Sequence, residues 1–120
     1  MSVTIIEQSK EFNNVEKYLM TTSPNITSMK NVEDGTSIPV AGWLTYEDTK
    51  KDGTVEHIMS IITPDNDVYA FQSATFSESL MDIDSVMDGG AYSIIKTSGT
   101  TKAGRPYINC YLDVNSVITN

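Results

Sequence analysis

Residues 68–97 read VYAFQSATFSESLMDIDSVMDGGAYSIIKT, and this stretch decides the fold class. VYAFQSA is typical of a strand, since aromatic and apolar residues predominate in it. A helical period follows, because Thr75 and Glu78 fit a capping box at the start and glycines at 89 and 90 end it. Its apolar stripe is Phe76, Leu80, Ile83 and Met87. AYSIIKT then returns to a strand pattern, so the stretch predicts strand, helix, strand.

Working outward, further strands are predicted on both sides of this stretch. SIPVAGWLTYED (37–48) and VEHIMSIIT (55–63) precede it, and RPYINCYLDV (105–114) follows the loop SGTTKAG. Five strands with a helix between the third and fourth have the connectivity of an OB-fold, a small and partly open barrel. We therefore predict a mainly β, OB-like five-stranded domain over residues 36–120. A small α+β sandwich is the alternative architecture.

The first 35 residues have a different pattern. VTIIEQ is compatible with a short strand, and EFNNVEKYLM places apolar residues at helical spacing before TTSPN breaks the pattern. We predict that residues 1–35 form an N-terminal, largely helical extension packed on the domain.

Composition narrows the class of protein. The chain has 120 residues and a formal net charge of −8, and it contains no apolar run of the roughly 20 residues that a membrane helix needs. The N-terminus lacks the basic and apolar regions of a signal peptide. We expect a single cytoplasmic domain without membrane association.

The residues that catalysis requires are sparse. His57 is the sole histidine and Cys110 the sole cysteine, and no nucleophile elbow or phosphate-binding glycine motif occurs. The turn at Asp65, Asn66 and Asp67 lacks the spacing and closing Glu of a calcium loop. The sequence therefore predicts a protein that is not an enzyme and that uses no metal or other cofactor.

A second feature is the distribution of charge. From Gly89 to Leu112 there is no acidic residue, although the chain as a whole has 16. The last predicted strand places Arg105, Tyr107 and Tyr111 on the face opposite to Cys110. Rings that stack on bases, with cations that meet phosphates, are what single-stranded nucleic acid binding needs. These residues predict such an interface.

The predicted stacking rings are Trp43, Tyr69, Phe71 and Tyr107, with Tyr111 on the same solvent face as Tyr107. The predicted cations are Lys50, Lys51 and His57 at the first hairpin and Lys96, Lys102 and Arg105 at the last. The two hairpins border one groove in an OB barrel. Two alternatives stay open, a protein-interaction or virion-associated module that uses the Tyr-rich face, and a sugar-binding module.

Three segments resemble a known family. NVEDGTSIPVAGW (31–43), IITPDNDVYAFQSATFSESLMDI (61–83) and YSIIKTSGTTKAGRPYINCYL (92–112) resemble the single-stranded DNA-binding proteins of small protein-primed podophages of Gram-positive bacteria. The resemblance spans roughly residues 25–115 and rests on overall pattern.

This resemblance implies a function and a setting. It implies an acidic, OB-like protein that coats and protects displaced strands during phage DNA replication, largely independent of sequence. Single-stranded DNA and phage replication proteins would be its partners in the cytoplasm of the infected bacterial host. The protein would be a monomer or a weak homo-oligomer. The resemblance carries a binding role onto Tyr107 and Arg105, and also onto Tyr46 and the other aromatic residues of the first three strands.

Overall fold

The structure is a computed structural model that describes residues 2–117, and it is mainly β. The strands are β1 (Ser2–Gln8), β2 (Thr27–Ser28), β3 (Ser37–Val40), β4 (Gly42–Thr49), β5 (Val55–Ile62), β6 (Val68–Phe71), β7 (Tyr92–Thr100) and β8 (Pro106–Leu112). The helices are α1 (Asn14–Thr21) and α2 (Ala74–Met87), with 3₁₀ turns at Met29–Asn31 and Val114–Ser116. Neither α-helix is long and apolar enough to cross a membrane. The predicted mainly β class is confirmed.

The chain divides into two compact units. The first contains the described residues up to Met29 together with Ala41–Gln72. The second contains Lys30–Val40 and the described residues from Ser73 onward. Each unit contains one sheet and one α-helix.

The first unit is built on a five-stranded sheet in the order β1-β4-β5-β6-β2. All neighbours are antiparallel except β2 and β6, which are parallel. α1 begins at a capping box in which Asn13 and Glu16 each accept a backbone N–H of the other. The core cluster consists of Phe12, Met20, Leu44, Tyr46, Ile62 and Val68.

The second unit is built on a three-stranded antiparallel sheet in the order β3-β7-β8. One face of this sheet carries the buried side chains of Ile38, Ile94 and Cys110. α2 packs against β8, and the hydroxyl of Tyr92 donates to Asp84 of this helix over 2.8 Å. Because side chains alternate along a strand, the opposite face is formed by the intervening residues.

The N-terminal segment, which was predicted to be an extension, contributes a strand and core residues to the first unit. β1 pairs with β4 along its length, and Phe12 and Met20 belong to the core of the first unit. The predicted boundary at residue 35 does not coincide with the division into units, since the first unit joins the residues up to Met29 to Ala41–Gln72. The reason is a close approach that sequence spacing does not reveal: a methyl group on Gly42 would lie 2.7 Å from Cζ of Phe12. Gly42 is thus the position where the ring of Phe12 meets β4.

The predicted first strand also differs. It is interrupted at Ala41, so that β3 pairs with β7 and β4 pairs with β5 in a different sheet. The described strands form two sheets, and the predicted OB-like five-stranded barrel is not confirmed. The order from β4 onward is nevertheless strand, strand, strand, helix, strand, strand.

Candidate nucleic-acid interface

The outward face of the three-stranded sheet, here called the tyrosine face, carries the most exposed aromatic side chains of the sheets. It is defined by three cross-strand pairs, Ile95 with Tyr111, Thr97 with Asn109, and Gly99 with Tyr107. Tyr107 is 40% exposed and Tyr111 is 53% exposed. They lie four residues apart on β8, which corresponds to about 13 Å along a strand. The predicted parity of β8 is confirmed, since Cys110 on the other face is buried.

Tyr107 lies against the backbone of the neighbouring strand. A methyl group on Gly99 would be 2.6 Å from the Tyr107 hydroxyl oxygen and 2.8 Å from its Cζ. The phenol end of the ring therefore occupies the space in which a side chain of residue 99 would stand. Gly99 was predicted to lie in a flexible loop, but it belongs to β7. A glycine opposite an aromatic residue in a predicted hairpin is the sequence signal from which this contact could have been predicted.

The turn between β7 and β8 places two cations at one end of the tyrosine face. Lys102 and Arg105 are both exposed there. The N–H of Thr101 donates to the carbonyl of Arg105 over 2.9 Å, and the N–H of Arg105 donates to Oγ1 of Thr101 over 3.1 Å. Gly104 has φ +85°, a left-handed conformation that favours glycine. These hydrogen bonds therefore hold the backbone of the turn that carries both cations.

Lys96 is not part of this exposed charge. Its side chain is on the inner face, where Nζ donates to the carbonyl of Val32 over 2.7 Å and to Oδ1 of Asp34 over 3.0 Å. Only 3% of the residue is exposed. Ser98 donates to the other oxygen of Asp34, and these two hydrogen bonds, that of Ser98 first, lower the pKa of the Asp34 carboxyl. Lys96 was expected to contact phosphate, but its ammonium group is buried in an ion pair with Asp34.

The hairpin between β4 and β5 is acidic rather than basic. Lys50 pairs with Asp48 over 3.2 Å and with Glu56 over 3.0 Å, and both carboxylates raise its pKa. Nδ1 of His57 lies 3.3 Å from Glu47. Together with Asp52, this hairpin has four carboxylates and two lysines. Of the two lysines, Lys51 takes part in no ion pair among the described residues. The structure gives the predicted cations of this hairpin no surplus of positive charge.

The aromatic side chains of the first unit are mostly buried. Tyr46 belongs to the core cluster, and burial raises its pKa. Trp43 and Phe71 are buried on the other face of the same sheet, beside Met59 and Ile61. Tyr69 is half-buried. Trp43, Tyr46 and Phe71 were expected to stack on bases, but their rings are buried, because both faces of this sheet are covered along its central strands.

Two kinds of reactive group can be located in the structure, the thiol of Cys110 and side chains of the types that can bind metal ions. Cys110 is buried, and this burial raises the pKa of its thiol to about 12, so the thiol stays protonated near neutral pH. Within residues 2–117, no group of three His, Cys, Asp or Glu side chains is arranged to hold a metal ion.

Comparisons with protein families, with curated proteins and with solved structures found no match to this chain.

Proposed function

We propose that this chain binds single-stranded DNA through the tyrosine face and the cations of the adjoining turn. The observation that carries the proposal is the acid-free hairpin from Gly89 to Leu112, which presents two exposed tyrosines beside Lys102 and Arg105. Stacking of a base on an aromatic ring contributes about 1–3 kcal/mol and tolerates any sequence. Binding would therefore be largely independent of sequence.

The finer proposal is a protein that coats and protects displaced strands during phage DNA replication, in the cytoplasm of an infected bacterium and together with phage replication proteins. The resemblance of residues 25–115 to such proteins supports it. Chain order supports an OB-like fold: β4, β5 and β6 are followed by α2, β7 and β8, and the chain passes between sheets at Ala41. A partly open five-stranded barrel of this connectivity is a common binder of oligonucleotides.

The charge of the chain supports selectivity for single strands. With a formal net charge of −8, the protein repels duplex DNA at most of its surface. Stacking requires unpaired bases, which a duplex does not expose. A protein that relies on rings more than on cations therefore binds displaced strands and leaves the duplex free.

The proposal is tested by the fluorescence anisotropy of labelled oligo-dT, with matched duplex as competitor. We expect Tyr107→Ala and Tyr111→Ala each to weaken binding by roughly 5- to 150-fold, which corresponds to the loss of one stacked base. Tyr18→Ala is the matched control, because Tyr18 is 50% exposed on α1, outside the tyrosine face. Circular dichroism would show that each variant keeps its fold.

Two results would contradict the proposal. One is an absence of saturable binding to oligo-dT by the wild-type protein at low salt. The other is equal weakening by Tyr18→Ala and Tyr107→Ala. In either case the exposed tyrosines would fit a protein partner better, since Tyr and Arg are enriched at the centres of protein interfaces.

A further inference from the structure

We infer that Gly99 is a positioning residue, which fixes the ring of Tyr107 for stacking because it has no side chain. This inference rests on the proposed function and deepens it. It concerns the pair of Gly99 on β7 and Tyr107 on β8, which face each other in the antiparallel ladder.

The backbone itself does not require a glycine at residue 99. Four other glycines, Gly35, Gly53, Gly89 and Gly104, have the positive φ that disfavours other residues, whereas Gly99 does not. A glycine inside a strand weakens the strand, and it often marks a position that another group approaches closely. At Gly99 that group is the Tyr107 ring, whose hydroxyl oxygen, Cζ and Cε1 lie 2.6, 2.8 and 3.1 Å from the position of a Cβ.

A methyl group at residue 99 would displace the ring rather than the sheet. The atoms it would meet belong to the far end of the Tyr107 side chain, and none of them is backbone. A side chain can rotate away at little cost, while the hydrogen-bonded ladder of β7 and β8 resists movement. The conformation of Tyr107 therefore depends on Gly99 more than the stability of the strands does.

A fixed ring favours binding. Ordering a mobile side chain opposes association, and the contact with Gly99 favours one position of the ring before DNA arrives, so that less freedom is lost on binding. Tyr111 offers an internal comparison, because its cross-strand neighbour is Ile95, which has a side chain. Gly99 thus distinguishes Tyr107 from the second exposed tyrosine of the same face.

The test is a double-mutant cycle of Gly99→Ala and Tyr107→Ala, with affinity for oligo-dT as the first readout. We expect Gly99→Ala to weaken binding by about fivefold or more when Tyr107 is present, and by less than about twofold in the Tyr107→Ala background. Thr100→Ala is the control, since Thr100 is the adjacent exposed residue of β7 and its side chain lies on the other face. A wild-type affinity in Gly99→Ala, or the same loss in both backgrounds, would overturn the positioning role.

A second readout requires no DNA and separates this inference from the proposed function. The Tyr107 ring current should shift the Hα protons of Gly99 in the NMR spectrum, and Tyr107→Ala should abolish the shift. Gly99→Ala should raise the unfolding midpoint in the Tyr107→Ala background, where the methyl group has room and alanine reduces the entropy of the unfolded chain. An unshifted Gly99 resonance would show that the ring does not rest there, whether or not DNA binds. If the ring effects are present but oligo-dT does not bind, the proposed function fails and the positioning role for DNA fails with it.

Discussion

Lys96 shows at the scale of a single residue why a cation in a sequence is not a cation at a surface. Its neighbours in the chain are half-buried or exposed residues of β7, but its own side chain points to the inner face and ends at Asp34. A charge can be buried when it is paired and hydrogen-bonded, and Lys96 has both an acidic partner and the carbonyl of Val32. The acid-free hairpin therefore places two exposed cations beside the tyrosines, and the third holds the loop of residues 32–34.

The hydrogen bonds that Asp34 accepts from Ser98 and from Lys96 predict a pH dependence of stability. The pKa of Asp34 is lowered in the fold. Such a carboxyl stabilises the protein at pH values above its unfolded pKa of about 4, and this contribution is lost as the pH falls through the folded pKa. We expect Asp34→Asn to lower the urea midpoint clearly at about pH 7 and much less at about pH 3. Asp82→Asn, which changes an exposed acid on α2, is the control. Equal losses at both pH values would contradict this origin.

At the scale of elements, α2 shows how well the N-terminus of a helix can be predicted from the sequence. Thr75 and Glu78 fit a capping box, but the N-cap is Ser73, two residues before Thr75, and Oγ of Ser73 accepts the N–H of Phe76 over 3.1 Å. Ser73 also donates to the carbonyl of Ile108, an interaction that no local pattern contains. The sequence predicted the helix and its apolar residues, of which Phe76 and Leu80 are buried, but not the residue at its N-cap.

We expect Ser73→Ala to reduce the free energy of unfolding by about 1 kcal/mol, because the first turn of α2 loses its cap. Thr75→Ala should change it little, since Thr75 is exposed within the helix and alanine is the better helix former. Thermal or urea unfolding of the two variants decides between the two caps. A larger loss for Thr75→Ala would restore the cap that the sequence alone suggested.

Strand patterns were reliable where one face of a sheet meets solvent and unreliable where neither face does. On β8, alternation correctly separated Tyr107 and Tyr111 from Cys110. On β4, Trp43 and Leu44 lie on opposite faces of the sheet, but both are buried, although Trp43 was predicted to stack on bases. Alternation reports which side a residue faces and not whether that side is covered. The partner of Lys96 is 62 residues away, and such long-range pairing is equally absent from local patterns.

The N-terminal segment leads to a prediction about the first unit. Phe12 is buried against Gly42 and within the core cluster, so its side chain is part of the core that stabilises the sheet. We expect Phe12→Ala to lower the free energy of unfolding by about 3–5 kcal/mol, as is typical of a large side chain removed from a core. Val15→Ala on α1 is the matched control, because Val15 is exposed. A native-like midpoint for Phe12→Ala would favour an accessory extension.

At the scale of the whole molecule, the segregation of charge sets the salt dependence of binding. Each phosphate neutralised on a single strand contributes about −0.7 to the slope of log affinity against log salt. Lys102 and Arg105 alone give a slope of about −1.4, so that affinity falls by about sevenfold between about 50 and 200 mM salt. If Lys96 also met phosphate, the fall would be about eighteenfold. The smaller value is expected, because Lys96 is paired with Asp34.

Anisotropy titrations of oligo-dT over this range of salt measure the slope directly, and two variants assign it. Removing both exposed cations, with Lys102→Ala and Arg105→Ala together, should make the remaining affinity nearly independent of salt, because stacking carries no counterion release. Lys51→Ala should leave the slope unchanged, since Lys51 lies in a hairpin with four carboxylates. A slope that responds to Lys51 and not to the other two cations would move the phosphate contacts to the first unit. It would also leave the tyrosine face without the charges that orient a strand across it.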